Sequence, residues 1–376
     1  MSISIEQLRD YVYQTQKYLH KIPEPAFKEK KTSTYIAKQL KEMGYEVTEH
    51  IAKTGVTAKL TGKNEYPCVA IRADMDCIVH EMKNEIMYRH SCGHDAHSST
   101  ALGIARFMKD RIYNLNGSVK FIFQPAEEIG EGAKAMTAAG VLEGVDYLIG
   151  YHLRTAHECP FGKMSPALIH SASCKIIGEI YGKTAHGGRP HLGINAIDVL
   201  SSLVTNINTI RFNPQSGTSV KFTQLHAGKG SVNVIPEYGT FAMDVRSGSN
   251  EELKAVIRKI EKMIAHTADM HDGKIEYRVT EGVPAPLYDE NLMQTAQRAI
   301  VKILGSENVV DPIHTPGGED FHYYSQLTNV KSIYLAIGAN VCPGLHDPEM
   351  TFEKEAMLHG VEVISDMVEQ LLSKGS

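Results

Sequence analysis

The 376-residue chain reads as an α/β fold, a sheet covered by helices into which a second, smaller unit is inserted. Three observations predict it. Strand-like and helix-like segments alternate through residues 1–171, the order changes to βαββαβ over 172–283, and alternation resumes after Pro284. Alternation implies a largely parallel sheet with helices on both faces, and βαββαβ is the ferredoxin-like split arrangement. The length exceeds one ordinary core, so two domains are expected: 1–171 with 284–376, and 172–283.

The elements follow from periodicity. Apolar residues recur at helical spacing over 5–19 and 30–43, and Pro23 and Pro25 break the pattern between them. After Gly44 the runs at 46–50, 56–60 and 68–72 read as strands, and those at 119–124 and 147–152 as buried strands. Helical segments near 97–109 and 133–139 lie between them. The inserted unit reads strand 175–181, helix 196–210, strands 220–226 and 240–246, helix 251–267 and strand 274–280. A helix at 290–303, a strand at 332–337 and an amphipathic helix at 353–372 complete the chain. Ligands of such sheets gather at the carboxyl ends of the strands, which is where polar residues need scrutiny.

Composition narrows the function. Apolar residues make up 42% and charged residues 22%, and the net charge is −5 with Lys and Arg scattered. Neither a nucleic-acid footprint nor a polybasic membrane patch is expected, so the partner is a small molecule. Residues 1–16 lack an apolar h-region and no run approaches the ~20 residues of a membrane span, which points to the cytoplasm. Six irregularly spaced cysteines fit reduced thiols, one of them free to bind metal.

The densest chemistry is H-S-C-G-H-D-A-H at His90–His97. Thiolate and imidazole ligate zinc, cobalt, nickel or manganese, and Cys92 and His94 can reach one ion from an extended turn. An isolated Cys-x-His is more often a buried thiol beside surface histidines, so the rest of the chain decides. Q-P-A-E-E at Gln124–Glu128 follows a buried strand. One carboxylate there can bind metal while its neighbour accepts a proton from an activated water. His152 ends another strand, and H-D-P presents His346 before the last helix. Asp74 and Asp76 follow the 68–72 strand, where they line the site or support its histidines. In the inserted unit H-G-G-R-P-H holds His186 in a Gly-rich turn, and Asn233 (N-V-I-P) and Arg246 (D-V-R) sit near strand ends. Arginine suits bidentate carboxylate capture.

Together these motifs, with G-G-E-D-F at Gly317–Phe321, resemble the bacterial and plant amidohydrolases that include N-acyl-amino-acid, hippurate and auxin-conjugate hydrolases, within the wider aminoacylase and carboxypeptidase superfamily of dinuclear metallopeptidases. The resemblance runs from L-H-K-I-P-E at Leu19 to the last helix. It implies a mixed-sheet, metallopeptidase-like catalytic domain, an inserted lid and dimerisation domain, and a homodimer. It implies Cys92, His94, Glu128, His152 and His346 as ligands of two divalent ions, Zn, Mn, Ni or Co, and Glu127 as general acid and base. By the same resemblance His186 reaches the partner's active site to stabilise an oxyanion, and Asn233 and Arg246 hold the substrate carboxylate. The chain departs from the family at Cys77–His80, which replace Leu-Pro-Ile, at T-A-H-G-G around His186, and over 154–160. The implied reaction is hydrolysis of N-acyl-L-amino acids or related small amides. A dipeptidase or carboxypeptidase is the rival, requiring an acid such as Asp74, Glu81 or Glu319 to meet a substrate ammonium. A non-catalytic acyl-amino-acid binder is the alternative of another class.

Overall fold

The computed structural model describes residues 3–82 and 85–373. They form two compact units, one of residues up to 169 with 287–314 and 319 onward, the other of 170–286 with 315–318.

The first unit is an α/β unit on a seven-stranded sheet in the order Glu46–Ile51, Gly55–Thr61, Ser118–Gln124, Cys68–Asp74, Tyr147–Thr155, Lys331–Val341, Met164–Ser165. Its four middle strands run parallel and the outer ones antiparallel. The sheet is therefore mixed, and parallel only at its centre. Residues 52–54 are too short a link for a crossover, so the two strands they join must pair antiparallel. Every residue of Cys68–Asp74 is buried, as a strand covered on both faces requires.

Helix Ile5–Leu19 opens with a capping box between Ser4 and Gln7, which satisfies backbone donors reciprocally. Helix His94–Met108 begins three residues earlier than periodicity suggests, because Gly93 at φ +86° turns the chain straight into it. It packs between Ile5–Leu19 and Ala356–Ser373. A short hairpin of Ile78–Met82 and Glu85–Arg89, which the sequence reading missed, precedes it. Among the described residues no helix is long and apolar enough to cross a membrane.

The second unit has a four-stranded antiparallel sheet in the order Ser219–Ala227, Tyr238–Ser247, Ala172–Tyr181, Lys274–Glu281. With helices Ala196–Asn208 and Asn250–Met270 its elements follow as βαββαβ. Burial alternates along Ala172–Tyr181 and Tyr238–Ser247, so one sheet face carries the core, where Ile176, Val199, Leu203, Phe241 and Ile260 meet. Residues 315–318 belong to this unit because Ser171 N donates to Gly317 O and Arg246 Nη1 to Pro316 O.

Close helix packing in the first unit depends on Gly103. A Cβ there would stand 2.8 Å from methyl groups of both Val12 and Val361. Gly103→Val is expected to lower stability by about 1–3 kcal/mol through overpacking, read as a lower urea midpoint with unchanged slope.

Candidate metal centre

Parallel strands bring their carboxyl ends to one edge of the sheet, and the polar residues of the first unit gather there. Cys68–Asp74 runs two residues further than the alternating pattern suggests and ends on Asp74 itself. Ser118–Gln124 leads into Glu127 and Glu128, Tyr147–Thr155 carries His152, and Lys331–Val341 leads toward His346. Cys92 and His94 flank Gly93 at the start of their helix. His346 N donates to Ser91 O at 2.6 Å, which ties the C-terminal loop to the turn holding Cys92.

The donors converge. Cys92 Sγ lies 3.4 Å from both His152 Nε2 and His346 Nε2. His94 Nε2 is 3.7 Å from Glu128 Oε1 and 3.8 Å from Glu127 Oε2, and Glu128 Oε2 is 3.9 Å from His346 Nε2. Two donor triads, Cys92–His94–His152 and Cys92–Glu128–His346, share the thiol.

Surrounding groups set the tautomers. His152 Nδ1 donates to Leu153 O at 2.7 Å and His94 Nδ1 to Asp76 O at 3.0 Å, so in the neutral imidazoles both Nε2 atoms present lone pairs. Burial lowers the His94 pKa, but the charges of Asp74 and Cys92 outweigh it and raise it, so at His94 a cation must displace a proton. His97 is different: its Nε2 accepts from Leu153 N and its Nδ1 donates to Asp74 Oδ1. Both its nitrogens are used, so it orients the wall and is no ligand. The Asp76 carboxylate accepts from Glu127 N at 3.1 Å and Glu128 N at 3.0 Å, aiming the two glutamates.

Behind this layer lies a buried guanidinium. Arg72 bonds Gln124 Oε1, Asp74 Oδ2, Glu319 Oε1 and Asp320 Oδ1 at 2.6–3.1 Å. Glu319 also accepts from Phe321 N and Tyr334 Oη, and Asp320 from Gln124 Nε2 and Ala133 N. Sequence reasoning missed Arg72, although an arginine in the middle of V-A-I-R-A-D was the signal.

Negative charge exceeds positive here. Burial, then the charges of Glu319, Glu128 and Asp320, push Glu127 well above the carboxylate range. Burial pushes Glu128 up to about 7 against the pull of His94, and burial with the charge of Glu128 raises the Cys92 thiol. Burial holds His152 well below the usual imidazole value, which keeps its lone pair available. Two facing atoms, His94 Nε2 and Glu128 Oε1, are buried without a hydrogen-bond partner, a state that loses full desolvation energy unless something binds them. These residues fit a divalent cation. Donors 3.4–3.9 Å apart suit ions bound at about 2.0–2.3 Å, and positive charge would lower the raised pKa values.

His186, Asn233 and Arg246 lie in the second unit. His186 pairs with Val234 in a two-stranded ribbon and Gly187 N donates to Asn233 O, so His186 and Asn233 are neighbours. Arg246 is engaged by Asp244 Oδ2 and Pro316 O. Of the residues after His152, Glu158 accepts from Arg154 and Thr155, and the Cys159 thiol faces Lys163 O.

This fold and donor set define a hydrolase that acts through metal. A family model described as peptidase family M20/M25/M40 matches residues 70–370. A hippurate hydrolase of Campylobacter jejuni is 32% identical over 348 residues, 84% of this chain and 88% of that protein. An N-acetyl-L-cysteine deacetylase of Bacillus subtilis is 28% identical over 98% of this chain and 90% of its own. The crystal structure of a dinuclear metal-binding peptidase from the M20 family of Bacillus subtilis superposes with a TM-score of 0.85 at 27% identity, covering 98% of this chain and 99% of that one. The chain belongs to peptidase family M20/M25/M40 and is a metal-dependent amidohydrolase.

Two outcomes follow from the geometry. Arg72→Met leaves three buried carboxylates without their cation and is expected to remove about 3–5 kcal/mol of stability, measured by denaturant melts. Asp95, in the first turn after His94, accepts from Gln16 Nε2 and pairs with His20 Nδ1 at 2.8 Å, which raises the His20 pKa. A raised pKa stabilises the fold fully below the unfolded value of about 6.5 and ceases to do so as pH rises through the folded value. The melting-temperature gap between wild type and His20→Gln should therefore be wide at pH 6 and shrink by pH 9.

Proposed function

We propose that this enzyme hydrolyses the amide bond of N-acyl-L-amino acids or related small amides, releasing a carboxylic acid and an amino acid. The observation that carries the reading is the pair of donor triads sharing Cys92, with the Glu127 carboxylate beside them. Cys92, His94, Glu128, His152 and His346 hold two divalent ions, of Zn, Mn, Ni or Co. Bound ions supply Lewis acidity, polarising the scissile carbonyl and acidifying the attacking water. Glu127 takes the proton of that water and delivers it to the leaving nitrogen, so the C–N bond breaks with departure of a neutral amine.

The second unit serves as lid and as the contact of a homodimer, in which His186 stabilises the oxyanion formed in the partner subunit's site. Asn233 and Arg246 hold the substrate carboxylate, Arg246 exchanging its bond to Asp244 for that carboxylate. The cytoplasmic location belongs to the same proposal, and six free cysteines suit a reducing compartment.

Acyl amino acids are favoured over dipeptides because the acids that could meet an ammonium are already engaged. Asp74 is taken by Arg72 and His97, and Glu319 by Arg72, Phe321 N and Tyr334. Glu81 lies exposed on the hairpin. The two relatives named above, a hippurate hydrolase and an N-acetyl-L-cysteine deacetylase, support this substrate class.

The test is a panel of N-acetyl, N-benzoyl and longer N-acyl amino acids beside matched dipeptides, with metal-loaded wild type and Glu127→Gln. The variant should keep its metal content while kcat falls about 10²–10⁴-fold. Cleavage of dipeptides alone would instead identify a dipeptidase, and binding of acyl amino acids without turnover a binding protein.

A further inference from the structure

In E-P-A-F-K-E-K-K, Glu29 occupies the position preceding helix Lys30–Glu42, where a short polar side chain usually caps the helix and negative charge is favoured. It makes no such cap. Glu24 does that work, accepting from Lys31 N, Thr32 N and Thr32 Oγ1. Glu29 is thereby free to turn inward, where it is completely buried. Burying a carboxylate is unfavourable unless its oxygens are met by donors. Here Oε2 accepts from Thr54 Oγ1 at 2.5 Å, and Oε1 accepts from two backbone N–H groups, Phe27 at 2.9 Å and Ala126 at 3.0 Å. Both of those residues hold left-handed conformations, φ +59° and +56°, which L side chains resist.

Ala126 is the residue on which the chain leaves strand Ser118–Gln124 and turns to present Glu127 and Glu128. Its carbonyl accepts from Gly132 N, and Gly132 itself admits no side chain, since a Cβ would meet Pro125 O at 1.8 Å. Three consecutive backbone N–H groups, of residues 126, 127 and 128, are thus gripped by two buried carboxylates, Glu29 for the first and Asp76 for the next two.

We infer that Glu29 is a positioning residue for the hydrolytic glutamates, holding Ala126 in its left-handed turn so that Glu127 points at the reacting atoms. The inference rests on Glu127 being the general base. Glu29 acts through the backbone of Ala126. Its loss therefore affects the proton-transfer step and leaves substrate binding intact. Glutamine fits the same place, because its carbonyl oxygen can accept both N–H groups while its amide donates to Thr54, whose hydroxyl rotates to accept.

The experiment compares kcat, KM, melting temperature and metal content for metal-loaded wild type, Glu29→Ala, Glu29→Gln, Glu127→Gln and the double variant Glu29→Ala/Glu127→Gln, on whichever substrate wild type turns over. Glu29→Ala should lose about 10–100-fold in kcat with KM unchanged, the penalty of a base displaced by an ångström or so. Glu29→Gln should stay within about threefold of wild type, and Glu29→Ala should cost less than about threefold when added to Glu127→Gln, because residues acting as a unit are non-additive. An unchanged kcat in Glu29→Ala, or the same fold-loss in both backgrounds, would overturn the inference. Should Glu29→Ala fail to fold, Glu29→Met serves: it fills the same space but offers no carboxylate oxygen to Ala126 N, and a kcat equal to wild type would be equally fatal. Full activity in Glu127→Gln alone would instead sink the general-base reading, which the single variant tests by itself.

Discussion

The structure of the candidate centre depends on one buried cation. The Arg72 guanidinium binds Asp74, Glu319, Asp320 and Gln124 at once, joining the ends of two neighbouring parallel strands to the segment around residue 320. A planar fork with five donors can meet several acceptors in fixed directions, which a lysine could not do. Asp74 then orients His97, whose other nitrogen takes the N–H of Leu153 beside His152. The order of the strand ends is thus transmitted from a group that touches no donor triad to the imidazoles that do.

Excess negative charge is the second constraint. Six carboxylates, those of Asp74, Asp76, Glu127, Glu128, Glu319 and Asp320, stand in a region where, among the described residues, Arg72 is the guanidinium that pairs with them. In a low-dielectric interior such crowding favours protonation or a bound cation. Burial first, and the neighbouring carboxylates after it, raise Glu127, Glu128 and Asp320, which is the first response, and the donor geometry provides for the second.

Local pattern made the elements legible and marked the candidate donors, which the family resemblance joined into one set. The helix Ile5–Leu19 falls where apolar spacing put it, and Cys92, His94, Glu128, His152 and His346 stand out as polar residues at strand ends or beside glycine. Pairing across the chain was not legible. Arg72 meets partners 247 and 248 residues away, and no periodicity within V-A-I-R-A-D announces them. Glu29 carried no signal at all: its contact with Ala126 lies 97 residues on, and the cap that Glu24 supplies is recognisable only once the turn between them is folded. His97 shared the spacing of its neighbours, and only the N–H of Leu153, 56 residues on, distinguishes it from a ligand. The antiparallel flanks of the sheet depended on loop length, which a strand-by-strand reading undervalued.

The strand Lys331–Val341 lies between Tyr147–Thr155 and Met164–Ser165. A nascent chain therefore exposes the edge of Tyr147–Thr155 until the ribosome has made some 180 further residues at about 5–20 residues per second. Open strand edges recruit wrong partners, so this interval is when the polypeptide is most exposed to mispairing. Cys92 and His346, 254 residues apart, meet only after it closes, which makes the centre a product of completed folding that cannot act as its nucleus.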